Sequence, residues 1–546
     1  MQPSTLAKRG YLLLFLATLV FYFYGLGRLP LLGADEPRYA EVAREMLERR
    51  DLITPTLAGH PWFEKPVLLY WMMMANFHLF GISEWTARLS SAISGLLTVA
   101  AVYWLAKRVE TAAADASLSG FACASALITA SSAGILGFSR GTSFDIVLTM
   151  TITWALAFFL VSELETNDRR RQLLLAGFYF FVGLSLLAKG LVGIVIPFSI
   201  IGVYFMVRRE FPGTGRFLSL IWGFPLAFGV AAIWYGPVLD RHGWPFIDNF
   251  FIQHHFARYV TGKYHHPQRL YFYVLVLIPL TLPWTAFLVD GLIRGRSWLR
   301  RSSPVEQKVR VFALVWLIVP IVFFSFSQSK LPGYILPVLP GVALIVGERL
   351  IRFASGQEKG TWVIRATGVV LLIFVIYGVI YAKRSGIVSV RCMMAIGAPL
   401  LLVGLGTIFW ARISKYVLAV MASATLAALL IALNCDLTRI SQRESARDLI
   451  DLANSRGYAS APLYSLHDID RTAEFYAAGR LAYGPDGEPL KFEGAAQVLA
   501  AARASGGPIL VLVPKEVMEQ VTDLKNVQTE VIGVNRRSAI IAVRAW

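Results

Sequence analysis

The chain has 546 residues, of which 56% are hydrophobic and 16% charged, and a formal net charge of +17; its mean hydropathy is +0.57. An apolar excess that recurs in blocks between short basic loops excludes an ordinary soluble protein and points to a polytopic membrane protein. The basic surplus sits in those loops, as the positive-inside rule expects, and no nucleic-acid-binding motif accompanies it, so nucleic acid is not an expected partner.

In chain order, Lys8 and Arg9 precede a first apolar run. It is followed by "FYFYGLGRLPLLGADE" rather than a small-residue cleavage site, which predicts an uncleaved first helix with a cytoplasmic N-terminus. A crossing needs roughly 20 apolar residues. Candidate segments lie at about 11–28, 67–82, 86–106, 117–137, 142–162, 173–188, 190–207, 218–239, 271–293, 310–326, 333–351, 363–382, 393–411 and 415–434. If all of them crossed, "NDRRR" (167–171), "VRREFPGTGR" (207–216) and "RGRSWLRRSSP" (294–304) would lie outside. If 67–82 lies along the membrane instead, these loops become cytoplasmic, together with Lys107/Arg108, Arg349/Arg352 and Arg412/Lys415. Only "AKRSGIVSVR" (382–391) then breaks the rule. The segment 67–82 is short and carries Asn76 and His78, which suits an interfacial helix. The expectation is therefore about thirteen crossings, with interfacial helices in a first outer loop, 29–85. Cys123, Cys392 and Cys435 all fall in apolar segments, and no disulfide framework or metal cluster is readable from them.

The first outer loop opens with "GADEPRYAEVAREMLERRD" (33–51). Val42, Ala43, Met46 and Leu47 recur near helical spacing, with Glu41, Arg44, Glu45, Glu48 and Arg49 on the other face; this predicts an amphipathic helix at the membrane surface. Asp35 stands where an N-cap belongs, with Pro37 in the first turn. The plain readings are a cap and a solvated charged face. The functional reading is a catalytic carboxylate pair, Asp35 and Glu36, beside Arg38 and Tyr39 at the mouth of a membrane helix.

"GADEPRYAEVAREML" followed by "PTLAGHPWFEKPVLLYW" resembles the GT-C membrane glycosyltransferases of the protein O-mannosyltransferase superfamily. The nearest branch is the bacterial transferases that add aminoarabinose to lipid A. The first-loop signatures G-x-D-E-x-R-Y (Gly33, Asp35, Glu36, Arg38, Tyr39) and E-K-P (Glu64, Lys65, Pro66) carry the likeness. "SRGTSFD" ending at Asp145, "LLAKG" with Lys189, "FFIQHHFARY" with Arg258, and "SKLPGYILP" with Lys330 and Tyr334 extend it over about 1–345. The resemblance implies a GT-C fold, a polyprenyl-phosphate-linked sugar donor, and transfer on the periplasmic face of the bacterial inner membrane to a lipid or glycolipid acceptor, lipid A or lipopolysaccharide first. Protein O-mannosyl transfer is the alternative enzyme. A transporter or flippase of lipid-linked sugars is the alternative of another class; midplane polar residues and internal repeats would favour it, and neither is seen in the sequence.

A breaking sugar–phosphate bond builds negative charge at the interface, so cations are needed there. Lys65, Arg258 and Lys330 are the candidates, with Arg38, Tyr39 and Tyr334 as further donors to phosphate. Asp35 is the main catalytic candidate, with Asp145 and Glu36. Asp145 is also read as an N-terminal charge favoured by its helix dipole. Glu64, Lys189, His254 and His255 are expected to bind substrate or organise the site, and a divalent metal is left open at Glu64. The histidines of "FIQHHFARYVTGKYHHPQRLYFY" show no third ligand at metal spacing, so contact with substrate or acceptor, together with Arg258 and Tyr259, is the expected role. From about Asp436 the composition turns soluble, with strands in "APLYSL", "GPILVLVP" and "RRSAIIAVRAW" and helices in "DRTAEFYAAGRL" and "FEGAAQVLAAARAS". Residues 1–435 are thus expected to form the membrane domain and 436–546 a small periplasmic α/β domain.

Overall fold

The computed structural model describes residue 13, residues 16–18 and residues 20–545, apart from 114–117, 258, 260–267, 301–303, 357–359, 410–415 and 486; residues 255, 256, 295–300 and 304 are described by backbone alone. Gly33, at φ 69°, turns the chain out of the first helix, and α1 (Asp35–Glu48) begins two residues later. Its N-cap is Ala34, with no side-chain cap. Asp35 is therefore not the cap that its position suggests; it is the first helical residue. The hairpin β1 (Thr56–Leu57) and β2 (His60–Pro61) follows. Glu45 holds it to α1, accepting hydrogen bonds from Thr56 Oγ1 at 2.6 Å and Gly59 N at 3.1 Å.

Next comes α2 (Leu68–Phe80), whose 13 residues span only about 20 Å, too short to cross. Pro66, just before it, lines the cavity described below, and Glu84, just after it, bonds to the C-terminal domain. Both ends of α2 therefore lie at the same end of the molecule, as the loop charges predict for 67–82.

The membrane helices continue with α3 (Glu84–Ala113), α4 (Phe121–Ser131), α5 (Ala133–Phe138), α6 (Phe144–Leu164), α7 (Asp168–Lys189), α8 (Val192–Arg208) and α9 (Thr214–His242). Later helices cover Phe272–Leu280, Thr285–Arg300, Pro304–Ser325, Leu339–Ala354, Thr361–Ser385, Val390–Phe409 and Val417–Ala432. Among the described residues, eight helices are long and apolar enough to cross a membrane, or nine with one bent pair. The expected thirteen are not reached by that measure. The segment 117–137 is broken at Ser132, whose backbone is extended, and 271–293 is broken around Leu282–Pro283. The helix α8 has 17 residues.

The direction of each helix is set by what its ends touch. Asp145 at the start of α6, Lys189 at the end of α7, Val192 at the start of α8 and Ser327 beyond Pro304–Ser325 all line one cavity. The other ends of these helices carry 167–171, 207–216 and Glu306/Arg310. The basic loops 167–171 and 207–216 thus lie at the end opposite the cavity. Ion pairs lock that end: Arg216 Nε lies 2.5 Å from Glu163, and Arg352 reaches Glu306 and Glu348 at 2.8 and 2.9 Å.

At the cavity end sits a five-stranded mixed sheet of order β4-β3-β5-β7-β6. It comprises β3 (Leu463–Leu466), β4 (Lys491–Phe492), β5 (Ile509–Pro514), β6 (Val527–Val534) and β7 (Ser538–Ala545). β3, β4 and β5 run parallel, and β7 and β6 are antiparallel to their neighbours. The helix expected over "DRTAEFYAAGRL" shortens to Ala473–Tyr476. That short helix lies on α1, and the expected solvated face is overturned at Glu41 and Arg44, whereas Glu48 and Arg49 are exposed as expected. Glu41 and Arg44 are 3% and 9% exposed, with the Arg44 guanidinium 5.0 Å over the Phe475 ring. A neighbouring domain covers the face that would otherwise meet water. Burial pushes Glu41 up to about 7 although Arg44 opposes the shift.

Cys392 and Cys435 form a disulfide at this same end, beside the Ser389–Asp436 contact. Two cysteines 43 residues apart, one in the helix Val390–Phe409 and the other in the bend after Val417–Ala432, gave no local signal, so the absence of a readable framework did not mean absence of a bridge.

Candidate functional site

The cavity of about 680 Å³ brings most of the candidate residues together: Asp35, Tyr39, Glu64, Lys65, Asp145, Lys189, His254 and Tyr334 line it. Phe138, Phe323, Phe324, Leu331 and Val195 give it an apolar wall. Asp35, at the open end of α1, makes no hydrogen bond or ion pair among the described residues. Asp145 follows the N-cap Ser143, whose hydroxyl accepts its backbone N–H at 3.1 Å. Its carboxylate takes the Lys189 ammonium, and that ammonium also stands 4.5 Å from the Tyr334 ring centre. Asp145 is thus a first-turn acid whose residue also lines the cavity.

Gly333 explains how Asp145 fits. A Cβ there would stand 2.0 Å from Asp145 Oδ2 and 2.8 Å from Phe138 Cε1. Tyr39 is fixed by edge-to-face contact with Phe144 at 4.9 Å between ring centres, a contact worth about 1 kcal/mol beyond burial. Burial holds its hydroxyl well above the usual tyrosine range.

Lys65 donates to Glu64 at 2.6 Å. Glu64 also faces Arg38 Nη1 at 3.9 Å, so its carboxylate already sits between two cations. Among the described residues no three His, Cys, Asp or Glu side chains group to hold an ion. That donor set does not fit a divalent metal at Glu64, and no step is routed through one.

Three expected site residues stand elsewhere. Glu36 accepts from Arg88 Nε at 3.0 Å, Arg88 Nη2 at 2.8 Å, Leu32 N at 2.9 Å and Thr142 N at 2.7 Å. Its carboxylate is saturated, tying the start of α1 to the turn before α6. Loss of either partner of a buried pair costs about 3–5 kcal/mol, so Glu36 holds the cavity walls together rather than acting in the cavity. Arg38 stands behind Glu64, 5.0 Å over the Trp62 ring. Lys330 donates to Gln268 O at 2.9 Å, and burial pushes its ammonium below the usual lysine range. Arg258 lies outside the described residues, as does the side chain of His255. Tyr259, expected beside Arg258 to contact substrate or acceptor, lines the cavity and donates its hydroxyl to Phe323 O at 2.9 Å. Arg88 and Gly333 were not singled out as site residues by the sequence. Their partners lie 52 or more positions away and left no local pattern.

A bundle of membrane helices, a first loop folded into interfacial helices, and a terminal sheet domain over the same end define a polytopic membrane protein of the GT-C fold. The crystal structure of ArnT from Cupriavidus metallidurans bound to undecaprenyl phosphate superposes with a TM-score of 0.78, 23% identity and 98% coverage of both chains. The family model for dolichyl-phosphate-mannose-protein mannosyltransferases matches residues 11–233. The undecaprenyl phosphate-alpha-4-amino-4-deoxy-L-arabinose arabinosyl transferase of Aeromonas salmonicida (strain A449) is 28% identical over 62% of this chain and 60% of its own. The protein of the same name from Pseudomonas aeruginosa (strain UCBPP-PA14) is 32% identical over 63% of this chain and 60% of its own. The chain thus aligns with about 60% of the length of these curated relatives.

Proposed function

We propose that this protein is a glycosyltransferase that moves a sugar, of the aminoarabinose type, from undecaprenyl phosphate to lipid A or a related lipopolysaccharide acceptor. The observation that carries this reading is the cavity itself. Carboxylates from the first loop and α6, lysines from the first loop and α7, and an apolar wall converge on one space. That combination suits a substrate with a lipid tail, a phosphate and a sugar. The similarity to arabinosyl transferases supports the sugar class. Lys65, with Glu64 beside it, receives the donor phosphate, whose charge grows as the anomeric C–O bond breaks. The acceptor oxygen attacks the anomeric carbon and the electron pair leaves with undecaprenyl phosphate. Asp35 accepts the proton when the acceptor carries one. Asp145, held by Lys189, orients the sugar. Residues 1–435 form the membrane domain and 436–546 the outer domain in this reading. The purified chain should release sugar from an undecaprenyl-phosphate-linked aminoarabinose extract and label lipid A, detected by mass; no transfer from that donor would sink the proposal.

The cavity and the sheet domain face the periplasm of the inner membrane in this reading. The disulfide at the cavity end supports it, because such bonds persist in oxidising compartments. Protein denatured without reductant should therefore expose one thiol per chain to maleimide, Cys123, rising to three after reduction. Three reactive thiols before reduction would place that end in the cytosol and reverse the orientation.

A further inference from the structure

A file of side chains with alternating charge runs from the surface of the sheet domain to the cavity wall. Arg471 bridges Glu488 and Glu474, at 2.8 Å to each. Glu474 lies 3.4 Å from Arg38 Nε, Arg38 lies 3.9 Å from Glu64, and Glu64 takes Lys65 at 2.6 Å. The Glu488 side chain at the outer end is 49% exposed, the Glu474 side chain fully buried, and Lys65 at the inner end 12% exposed. The file crosses from one structural unit to another: Glu474 belongs to the helix Ala473–Tyr476, whereas Arg38 belongs to α1.

The unit contact does not depend on Glu474. Tyr476 OH accepts from Leu31 N at 2.7 Å and donates to Glu84 at 3.1 Å, and Arg447 reaches Glu84 at 3.2 Å. A fully buried carboxylate is a poor device for docking alone, since desolvation offsets most of its attraction. Its place between two arginines suits another task. Arg38 is shared between the carboxylates of Glu474 and Glu64. Without the charge on Glu474, Glu64 is the carboxylate left to Arg38 among the described residues, and Arg38 draws it away from Lys65.

We propose that Glu474 is a positioning residue, setting Lys65 in the cavity through Arg38 and Glu64, so that the sheet domain supplies part of the donor-phosphate site. This rests on the reading of the cavity as a polyprenyl phosphate site. It also gives the sheet domain a role in donor binding beyond covering the cavity.

The test is titration of the full chain in detergent with undecaprenyl phosphate, alongside donor kinetics. Glu474→Gln should weaken binding about tenfold and raise KM in step, with kcat changed less than about threefold. Glu474→Asp, which keeps the charge, should recover part of that loss. Tyr476→Phe, which removes two docking hydrogen bonds outside the file, should bind like wild type. Glu64→Gln combined with Glu474→Gln should be no weaker than Glu64→Gln alone, because the two act through one path. If Glu474→Gln does not fold, Arg38→Lys, too compact to span both carboxylates, carries the same expectation. Wild-type affinity in Glu474→Gln, equal weakening by Tyr476→Phe, or additive losses would each overturn the inference. Failure of the wild type to bind undecaprenyl phosphate would overturn the cavity reading and the inference with it.

Discussion

Asp35→Asn should cut sugar transfer by about 10²- to 10⁴-fold while leaving the melting temperature unchanged. The size follows from the usual contribution of a positioned general base, equivalent to roughly 3–5 kcal/mol of barrier. The unchanged stability follows from the structure. Asp35 is exposed to the cavity, caps nothing, and makes no ion pair or hydrogen bond among the described residues. Asparagine keeps its size and loses only its charge and a few tenths of a kcal/mol of helix-dipole attraction. Glu36, its sequence neighbour, makes the contrast: its carboxylate is consumed by Arg88 and two backbone amides, so a change there should show first in the melting curve. Retained transfer by Asp35→Asn would remove Asp35 from the chemistry and leave Asp145 as the acid to test.

Gly333→Ala should lower kcat by about two orders of magnitude, although the added group is a single methyl. Gly333 has no positive φ, so alanine meets no backbone strain there. The obstacle is the 2.0 Å approach of the new Cβ to Asp145 Oδ2, with Phe138 blocking the other side at 2.8 Å. Something must move, and the carboxylate is the group with room to move, away from Lys189. A displacement of about 1 Å in a positioned group can cost about 10²-fold, while overpacking costs about 1–3 kcal/mol of stability. Combined with Asp145→Asn, the glycine change should add little, since both act on one group. Full activity in Gly333→Ala would mean that the place of Asp145 is immaterial to transfer.

The contrast between Asp35 and Arg88 shows what sequence conveys here and what it does not. Hydropathy marks the membrane segments because lipid forces each crossing to be apolar. Loop charge separates 67–82 from the crossings because the topology bias is itself a sequence property. Asp35, Lys65 and Asp145 were legible because they sit in short local motifs. Arg88 and Glu474 were not, because each owes its place to a partner in a distant part of the chain. The charges of Glu41 and Arg44 were misread for a related reason: periodicity reports that a face is polar, not that another domain covers it. The sheet domain was legible in three of its five strands. β4 was missed because its two residues are too few to show a period, and β6 because its outward-facing residues are mixed in character.

The cover that Ala473–Tyr476 places on α1 restricts how such a chain can be recombined. A chimera that joins the membrane bundle of this protein to the sheet domain of a relative would bring a foreign surface against Arg38, Arg44 and Leu31. The two parts are separate in architecture but must be inherited as matched halves. A functional exchange should move α1 and 473–476 together, even though more than 400 residues of sequence lie between them.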